Sequence, residues 1–379
     1  MRHFHIRLSL QDGRLIPRPR IAHFVDLFCA CILDRCFGRT ASGMPIKICP
    51  KCRKLFVSER RRFCSKDCHF MINIKKVKTY SVKKRFSKVE LGDFAGVPQR
   101  GRSFRRFYKS LPKILKARDF QAVVEAIAAA RRKKKAVIFM CGAHVIKCGL
   151  NPVLIELLKK KVITCLALNG AGVIHDFEIA FQGKTSEDVG ESLKDGKFGM
   201  GRETADFINN AVNEGVAEGL GFGNAVAKKI AETRLPHKNA SLLYNAYKYN
   251  VPVCVAVAIG TDIIHQHVSF NGARAGEGSL RDFYQLTESI RGLNNGGVVL
   301  NFGSAVILPE VFLKALNLAR NLGFKVKDFT TATFDMIQHY RPQQNVVYRP
   351  VMSGGKGYYI VGHHEMMLPL LAQAVLDTL

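Results

Sequence analysis

Residues 169 to 178 read Asn-Gly-Ala-Gly-Val-Ile-His-Asp-Phe-Glu, and His175, Asp176 and Glu178 in that run can move protons or hold charge. An imidazole titrates near neutral pH and serves as general acid or base when a neighbouring group orients it. Comparable groupings recur along the chain. Gly142-Ala143-His144 precedes Lys147, Gly260-Thr261-Asp262 precedes His265 and His267, and Gly303-Ser304 stands with no titratable neighbour. Asp335, His339, Arg341, Tyr348, Arg349, Lys356 and His363-His364-Glu365 complete the set. Lys147 and Lys356 become nucleophiles if desolvation frees the amine, and Arg341 or Arg349 can orient a substrate anion. The two cysteines flanking the first group, Cys141 and Cys148, have only His144 as an activating neighbour, so packing is their expected role. Of the eight histidines after residue 140, only His237 lies outside these groups. A single such histidine would be expected in the core; seven in like settings predict one shared cleft.

Most of these groups follow a short apolar run. The runs at 136–141, 162–168, 251–258 and 298–301, with others near Val326 and Tyr358, read as strands buried on both faces. Amphipathic stretches at 119–130, 151–161, 201–218, 224–232, 241–249, 280–293 and 309–322 read as helices. Alternation of this kind predicts an α/β domain, a largely parallel sheet with helices on both faces. In such sheets ligands sit outside the carboxyl ends of the strands, against helix N-termini, which is where the small and polar residues fall. Gly219-Leu-Gly-Phe-Gly223 imitates a dinucleotide fingerprint but lies between two expected helices, so it reads as a turn.

Ahead of this domain the composition changes. Residues 1–140 carry 35 Lys and Arg against 9 Asp and Glu, a net of +26 out of the chain's +28. So basic a region predicts an anionic partner, and between Arg60 and Lys88 the cations alternate with Phe63, Phe70, Tyr80 and Phe86, as in nucleic-acid binding. Nucleic-acid contact is therefore expected somewhere within residues 47–135. Arg131 to Lys135 has a sufficient local explanation, as cations at a helix C-terminus. Cys49, Cys52, Cys64 and Cys68 have the spacing of a four-thiolate structural zinc site, which leaves no open coordination position. Eleven cysteines, an odd number, fit a reducing cytoplasm better than a disulfide framework. No apolar run approaches a membrane span, and the arginine-dotted N-terminus does not read as a secretory signal. The expected organisation is an undefined segment at 1–45, a finger at 46–75, a basic linker at 76–99 and the α/β domain at 100–379.

Two resemblances sharpen these expectations. The cysteine segment resembles treble-clef fingers of the CGNR type, although Cys68 is followed by His-Phe-Met rather than Gly-Asn-Arg, so only the metal ligands carry over. From about Arg100 to the C-terminus the chain resembles the deoxyhypusine synthase family. The matching stretches are GAHVIKCG (142–149), LNGAGVIHDFE (168–178), VCVAVAIGTD (253–262), LNFGSA (300–305), FD (334–335), YRP (340–342) and LPLL (368–371). That resemblance implies a Rossmann-like domain binding NAD, assembled as a homotetramer with sites between subunits, and a small-molecule substrate. It places NAD contacts at Ala143, His144, Lys147, Asn169, Gly170, Ala171, Gly303, Ser304 and Asp335. The family's imine-forming lysine, however, falls on Pro350, with Tyr348 in place of its tryptophan, and a proline cannot form that imine. Acidic residues of the family's polyamine pocket fall on His175 and Gln344, which predicts a neutral or anionic substrate instead. The expected catalytic groups are His175, Asp176, His265, Lys147, Arg341, Arg349 and Lys356. Two other functions remain open: a metal-dependent hydrolase built from His175, Asp176, His265, His267, His363 and His364, or a non-catalytic nucleic-acid-binding protein with a ligand-sensing domain.

Overall fold

The computed structural model describes residues 10–11, 14–15, 44–58, 60 and 74–379. The chain divides into two compact units, Met1–Ser87 and Lys88–Leu379. In the first, strands Ile46–Ile48 and Leu55–Val57 pair antiparallel, Ile46 opposite Val57 and Ile48 opposite Leu55. The connecting turn is closed by Cys49 N donating to Lys54 O and Arg53 N donating to Cys49 O, both at 2.9 Å, with Arg53 at φ +59°. Cys49 and Cys52 therefore share one tight turn. Cys64 and Cys68 lie outside the described residues, and among the described residues no group of three or more His, Cys, Asp or Glu is arranged to hold a metal.

The second unit is α/β and Rossmann-like. Its sheet comprises β1 (Val137–Cys141), β2 (Cys165–Asn169), β3 (Val253–Ala256), β4 (Val298–Phe302), β5 (Phe329–Asp335) and β6 (Gly355–Val361). The strands lie in the order β6-β5-β4-β1-β2-β3 and every pair is parallel. The chain thus starts at the centre, builds outward to one edge, then returns to build the other. The order reverses between β1 and β4, where an open parallel sheet leaves a crevice above its carboxyl ends. β1 and β4 are buried throughout, as apolar strands covered on both faces must be.

The α-helices of five residues or more in the described part of this unit are α1 (Phe104–Lys109), α2 (Leu115–Arg132), α3 (Ala143–Lys147), α4 (Asn151–Lys159), α5 (Gly170–Gln182), α6 (Val189–Lys194), α7 (Arg202–Ala217), α8 (Phe222–Glu232), α9 (Leu242–Lys248), α10 (Gly272–Arg291), α11 (Ile307–Asn321) and α12 (His364–Thr378). Strand residues alternate between two cores. Phe139, Leu166, Phe302 and Phe334 face a layer that includes α2, α4, α5 and α12, whereas Ile138, Ala167 and Val299 face α10 and α11. Phe139, Phe302 and Phe334 stack in sequence across β1, β4 and β5, with ring centroids 5.1 and 4.4 Å apart.

Several boundaries differ from the sequence expectation for physical reasons. The strand expected from 162 starts at Cys165, because Val162 N is used in closing the turn after α4 and donates to Leu157 O at 2.9 Å. The helix expected from 280 starts at Gly272, where the Asn271 side chain accepts from Arg274 N at 3.1 Å and caps a stretch without apolar periodicity. The C-terminal helix carries Pro369 within it, which hides its pattern. Gly219 and Gly221 lie in the α7–α8 turn, and Gly223 stands in the first turn of α8. Asp282 of α10 lies against Gly221 and accepts from Gly223 N at 2.8 Å, so these glycines serve packing rather than a nucleotide.

Candidate functional site

The reversal point is built from glycines. A Cβ on Gly142, after β1, would stand 2.8 Å from Gly303 O, after β4, and one on Gly303 would stand 2.5 Å from His364 Nε2. Gly303 also has φ +66°. The backbone turns therefore approach each other and the His364 ring as only glycine permits. His364 is buried, 6.0 Å by ring centroids from both Phe302 and His144, which continues the aromatic ladder into the crevice. Burial holds its imidazole below the usual range, with the Asp335 carboxylate acting in the opposite direction. Asp335, at the end of β5, accepts from Met336 N at 2.8 Å through Oδ1. His339 Nε2 stands 3.9 Å from Asp335 Oδ2.

A second group lies above β2 and β3. Asn169 caps α5, its Oδ1 accepting from Gly172 N at 3.0 Å. Asp262 packs on Gly170 and accepts from Ala171 N, yet burial still pushes its carboxyl up to about 6. His265 Nδ1 accepts from Gly260 N at 3.0 Å, and its Nε2 is 3.8 Å from Asp262 Oδ2. Burial lowers the His265 imidazole. On α5, His175 Nδ1 lies 2.6 Å from Thr185 Oγ1, which donates to Glu178 Oε2 at 2.5 Å. Burial, assisted by the charge of Lys147, brings His175 down to about 4, so its imidazole is neutral at physiological pH. His144 and Lys147 are one turn apart on α3, which packs on α5 and so bridges the two groups.

Among the described residues, ten buried side-chain polar atoms have no hydrogen-bond partner, and five of them belong to this rim: Asp262 Oδ2, His265 Nε2, Asn301 Oδ1, Asp335 Oδ2 and His364 Nδ1. Buried polar groups are nearly always satisfied in a folded chain, so these five atoms at the strand ends are open to a polar partner, water or ligand.

Other expected residues take different places. Asp176 is fully buried and accepts from Asn151 Nδ2 (2.9 Å), Ser241 Oγ (2.5 Å), Leu242 N (2.7 Å) and Leu243 N (3.0 Å), so it anchors the start of α9 instead of facing the crevice. Arg341 Nε lies 3.3 Å from Glu310 Oε1 on α11, and Glu310 also binds Lys314 and Asn345. Arg349 donates to Asn345 Oδ1 at 2.8 Å. Strand spacing puts β5, which leads to these arginines, about 20 Å from β3, which leads to His265. Lys356 is the second residue of β6, opposite Thr330 near the start of β5, on the amino rim of the sheet. Pro350 is buried in a turn over Arg349–Val351, where its carbonyl accepts from Arg320 Nη2 at 3.0 Å. The histidines weighed as metal ligands do not converge: His175 binds Thr185, His265 binds backbone N–H groups, and His267 Nε2 meets Gly199 O at 2.8 Å.

No family model and no curated protein matches the sequence. Solved structures do. One is ArgZ, a cyanobacterial arginine dihydrolase, at 15% identity over 70% of this chain and 34% of that one, with a TM-score of 0.43. Another is AgrE, solved as a ternary complex with ornithine and NAD+, at 16% identity over 69% of this chain and 33% of that one, TM-score 0.42. A third is a candidate deoxyhypusine synthase from Entamoeba histolytica, at 9% identity over 73% of this chain and 94% of that one, TM-score 0.46. The chain spans about a third of the length of the first two proteins.

Sequence reasoning placed His144, His175, Gly303 and Asp335 at strand ends, named Asp262 and Glu178 without a specific role, weighed His364 only as a metal ligand, and passed over Thr185. Thr185 gave no signal in the sequence, because its link to His175 and Glu178 depends on the chain reversal at Gly183.

Proposed function

We propose that the Lys88–Leu379 unit is an NAD-dependent enzyme acting on a small substrate, with His175 as its proton acceptor or donor. The observation that carries this reading is the gathering of unpartnered buried polar atoms at the carboxyl rim. The residues present fit a dinucleotide. The glycine turns at Gly142 and Gly303 allow close backbone approach, and Asp335 Oδ2 offers an acceptor for a hydroxyl. Ala143, His144, Asn169, Gly170, Ala171, Ser304 and Asp335 would hold the cofactor, which when bound supplies a hydride acceptor. His175, neutral near pH 7, can take up a proton. The substrate is not read as a polyamine bound through an imine, since Pro350 carries no amine and Lys356 stands on the far rim. Lys147 is the lysine beside His175.

Titration calorimetry of the full chain with NAD+ tests this. Binding is expected, and Asp335→Ala should weaken it at least about tenfold, the effect of losing a hydrogen bond to a charged group. A chain that takes up neither NAD+ nor NADH would overturn the reading.

A second reading has its own observation. Between Lys88 and Arg118, eight of nine cations make no ion pair among the described residues, while Phe94 and Phe107 are 60% and 48% exposed. Unpaired cations beside exposed rings suit a single-stranded nucleic acid.

A further inference from the structure

His175 and Glu178 are one turn apart on the same face of α5. Gly183, left-handed at φ +71°, ends the helix and reverses the chain, which brings Thr185 back over both side chains. His175 Nδ1 and Thr185 Oγ1 are 2.6 Å apart, Thr185 Oγ1 and Glu178 Oε2 2.5 Å, and Thr204 Oγ1 of α7 donates to the other carboxylate oxygen at 3.3 Å. The His175 and Glu178 side chains keep only 18% and 16% of their surface exposed.

The direction of this chain of bonds follows from counting protons. A threonine hydroxyl has one, and a carboxylate only accepts. With its proton given to Glu178, Thr185 can offer His175 only a lone pair. Nδ1 must then carry the imidazole hydrogen, and Nε2, which makes no hydrogen bond among the described residues, presents its lone pair. We propose that Thr185 and Glu178 are positioning residues that lock His175 in the Nδ1–H tautomer and so commit Nε2 to deprotonating a substrate hydroxyl. This rests on the assignment of His175 as the acid/base group. In the step, the substrate O–H bond breaks with its electron pair left on oxygen, and the proton goes to Nε2. Nδ1 keeps its hydrogen, and the new imidazolium is balanced through Thr185 by the Glu178 carboxylate. Lys147, whose charge reaches His175, favours the oxyanion formed beside it. A substrate alcohol therefore suits the site better than an ammonium group, which would meet that cation.

Histidine-selective 15N labelling of the full chain reads the tautomer directly through two-bond imidazole correlations, with the His175 signals assigned by their loss in His175→Gln. In the unmodified chain near pH 7, Nδ1 should give the shift of a protonated nitrogen and Nε2 that of a bare one. Thr185→Ser should retain this pattern, whereas Thr185→Val, which cannot accept, should make Nε2–H the major form. Should Thr185→Val not fold, Thr185→Ala at this partly exposed position provides the same comparison. An Nε2–H tautomer in the unmodified chain, or an Nδ1–H form that survives loss of the hydroxyl, overturns the proposal. Because the readout needs no cofactor, failure of NAD+ to bind would leave the tautomer result standing, and the two ideas fail separately.

Discussion

Asp176 and His175 are neighbours in sequence, yet a helix turns about 100° per residue and sends them to different surroundings. Asp176 meets four donors at the start of α9, whereas His175 meets one hydroxyl, that of Thr185. The position of His175 was legible because the strand-end rule depends only on local pattern. The role of Asp176 was not, since Asn151 and Ser241 are 25 and 65 residues away in the chain. Asp282 shows what happens with fewer donors. Gly223 N and Val255 N both bind its Oδ2, Oδ1 has no partner, and burial pushes its carboxyl up to about 7. Between about pH 4 and 7 the folded chain then holds a proton that the unfolded chain has released. This contribution to stability is full below the ordinary aspartate range and is lost as pH rises through 7. His175 acts in the opposite sense: lowered to about 4, it costs stability as pH falls below its unfolded value. A difference measurement isolates the aspartate. In urea unfolding, Asp282→Asn should gain a few kcal/mol relative to the unmodified chain between pH 4.5 and 8. A gap that does not change with pH would show that Asp282 is already ionised at the lower value.

At the scale of elements, the closest constraint is the meeting of the β1 and β4 turns. Gly303→Ala places a methyl against His364 at a left-handed backbone position. Overpacking of this kind costs about 1–3 kcal/mol, and displacement of His364 should weaken NAD+ binding in parallel. Gly276→Ala makes the contrast. Gly276 is exposed within α10 with nothing within 4 Å of the added carbon, so the change should raise stability by about 0.5–1 kcal/mol. Thermal unfolding of the two variants should move in opposite directions; a shared direction would contradict the packing account. The strands that create this constraint were readable, because a strand covered on both faces is apolar along its length. The start of α10 was not, because Gly272-Ala-Arg-Ala-Gly276 has no apolar face and is helical through the Asn271 cap and packing further on. α3 was missed for its length: five residues leave no period to detect.

For the molecule as a whole, the uneven charge was plain from composition, but composition cannot tell cations paired within the fold from cations left to solvent. Within the Lys88–Leu379 unit the difference is visible. Lys116 is spoken for by Asp119 at 2.8 Å, while Lys88, Arg100, Arg102, Arg105, Arg106, Lys109, Lys113 and Arg118 are exposed and make no ion pair among the described residues. Phosphate contacts and base stacking leave different signatures in binding. Each cation that neutralises a phosphate releases a counterion and steepens the salt dependence by about 0.7 for a single strand, whereas a stacked ring contributes about 1–3 kcal/mol with little salt dependence. Replacing Arg100, Arg102, Arg105 and Arg106 with alanine should therefore flatten the slope of log K against log salt for an RNA oligomer by about 3. Phe94→Ala and Phe107→Ala should lower affinity at every salt concentration and leave that slope in place. If the aromatic variants bind like the unmodified chain while the arginine variant loses slope, the surface holds phosphate without stacking bases and any polyanion would serve. If the slope survives loss of all four arginines, these cations do not touch the nucleic acid.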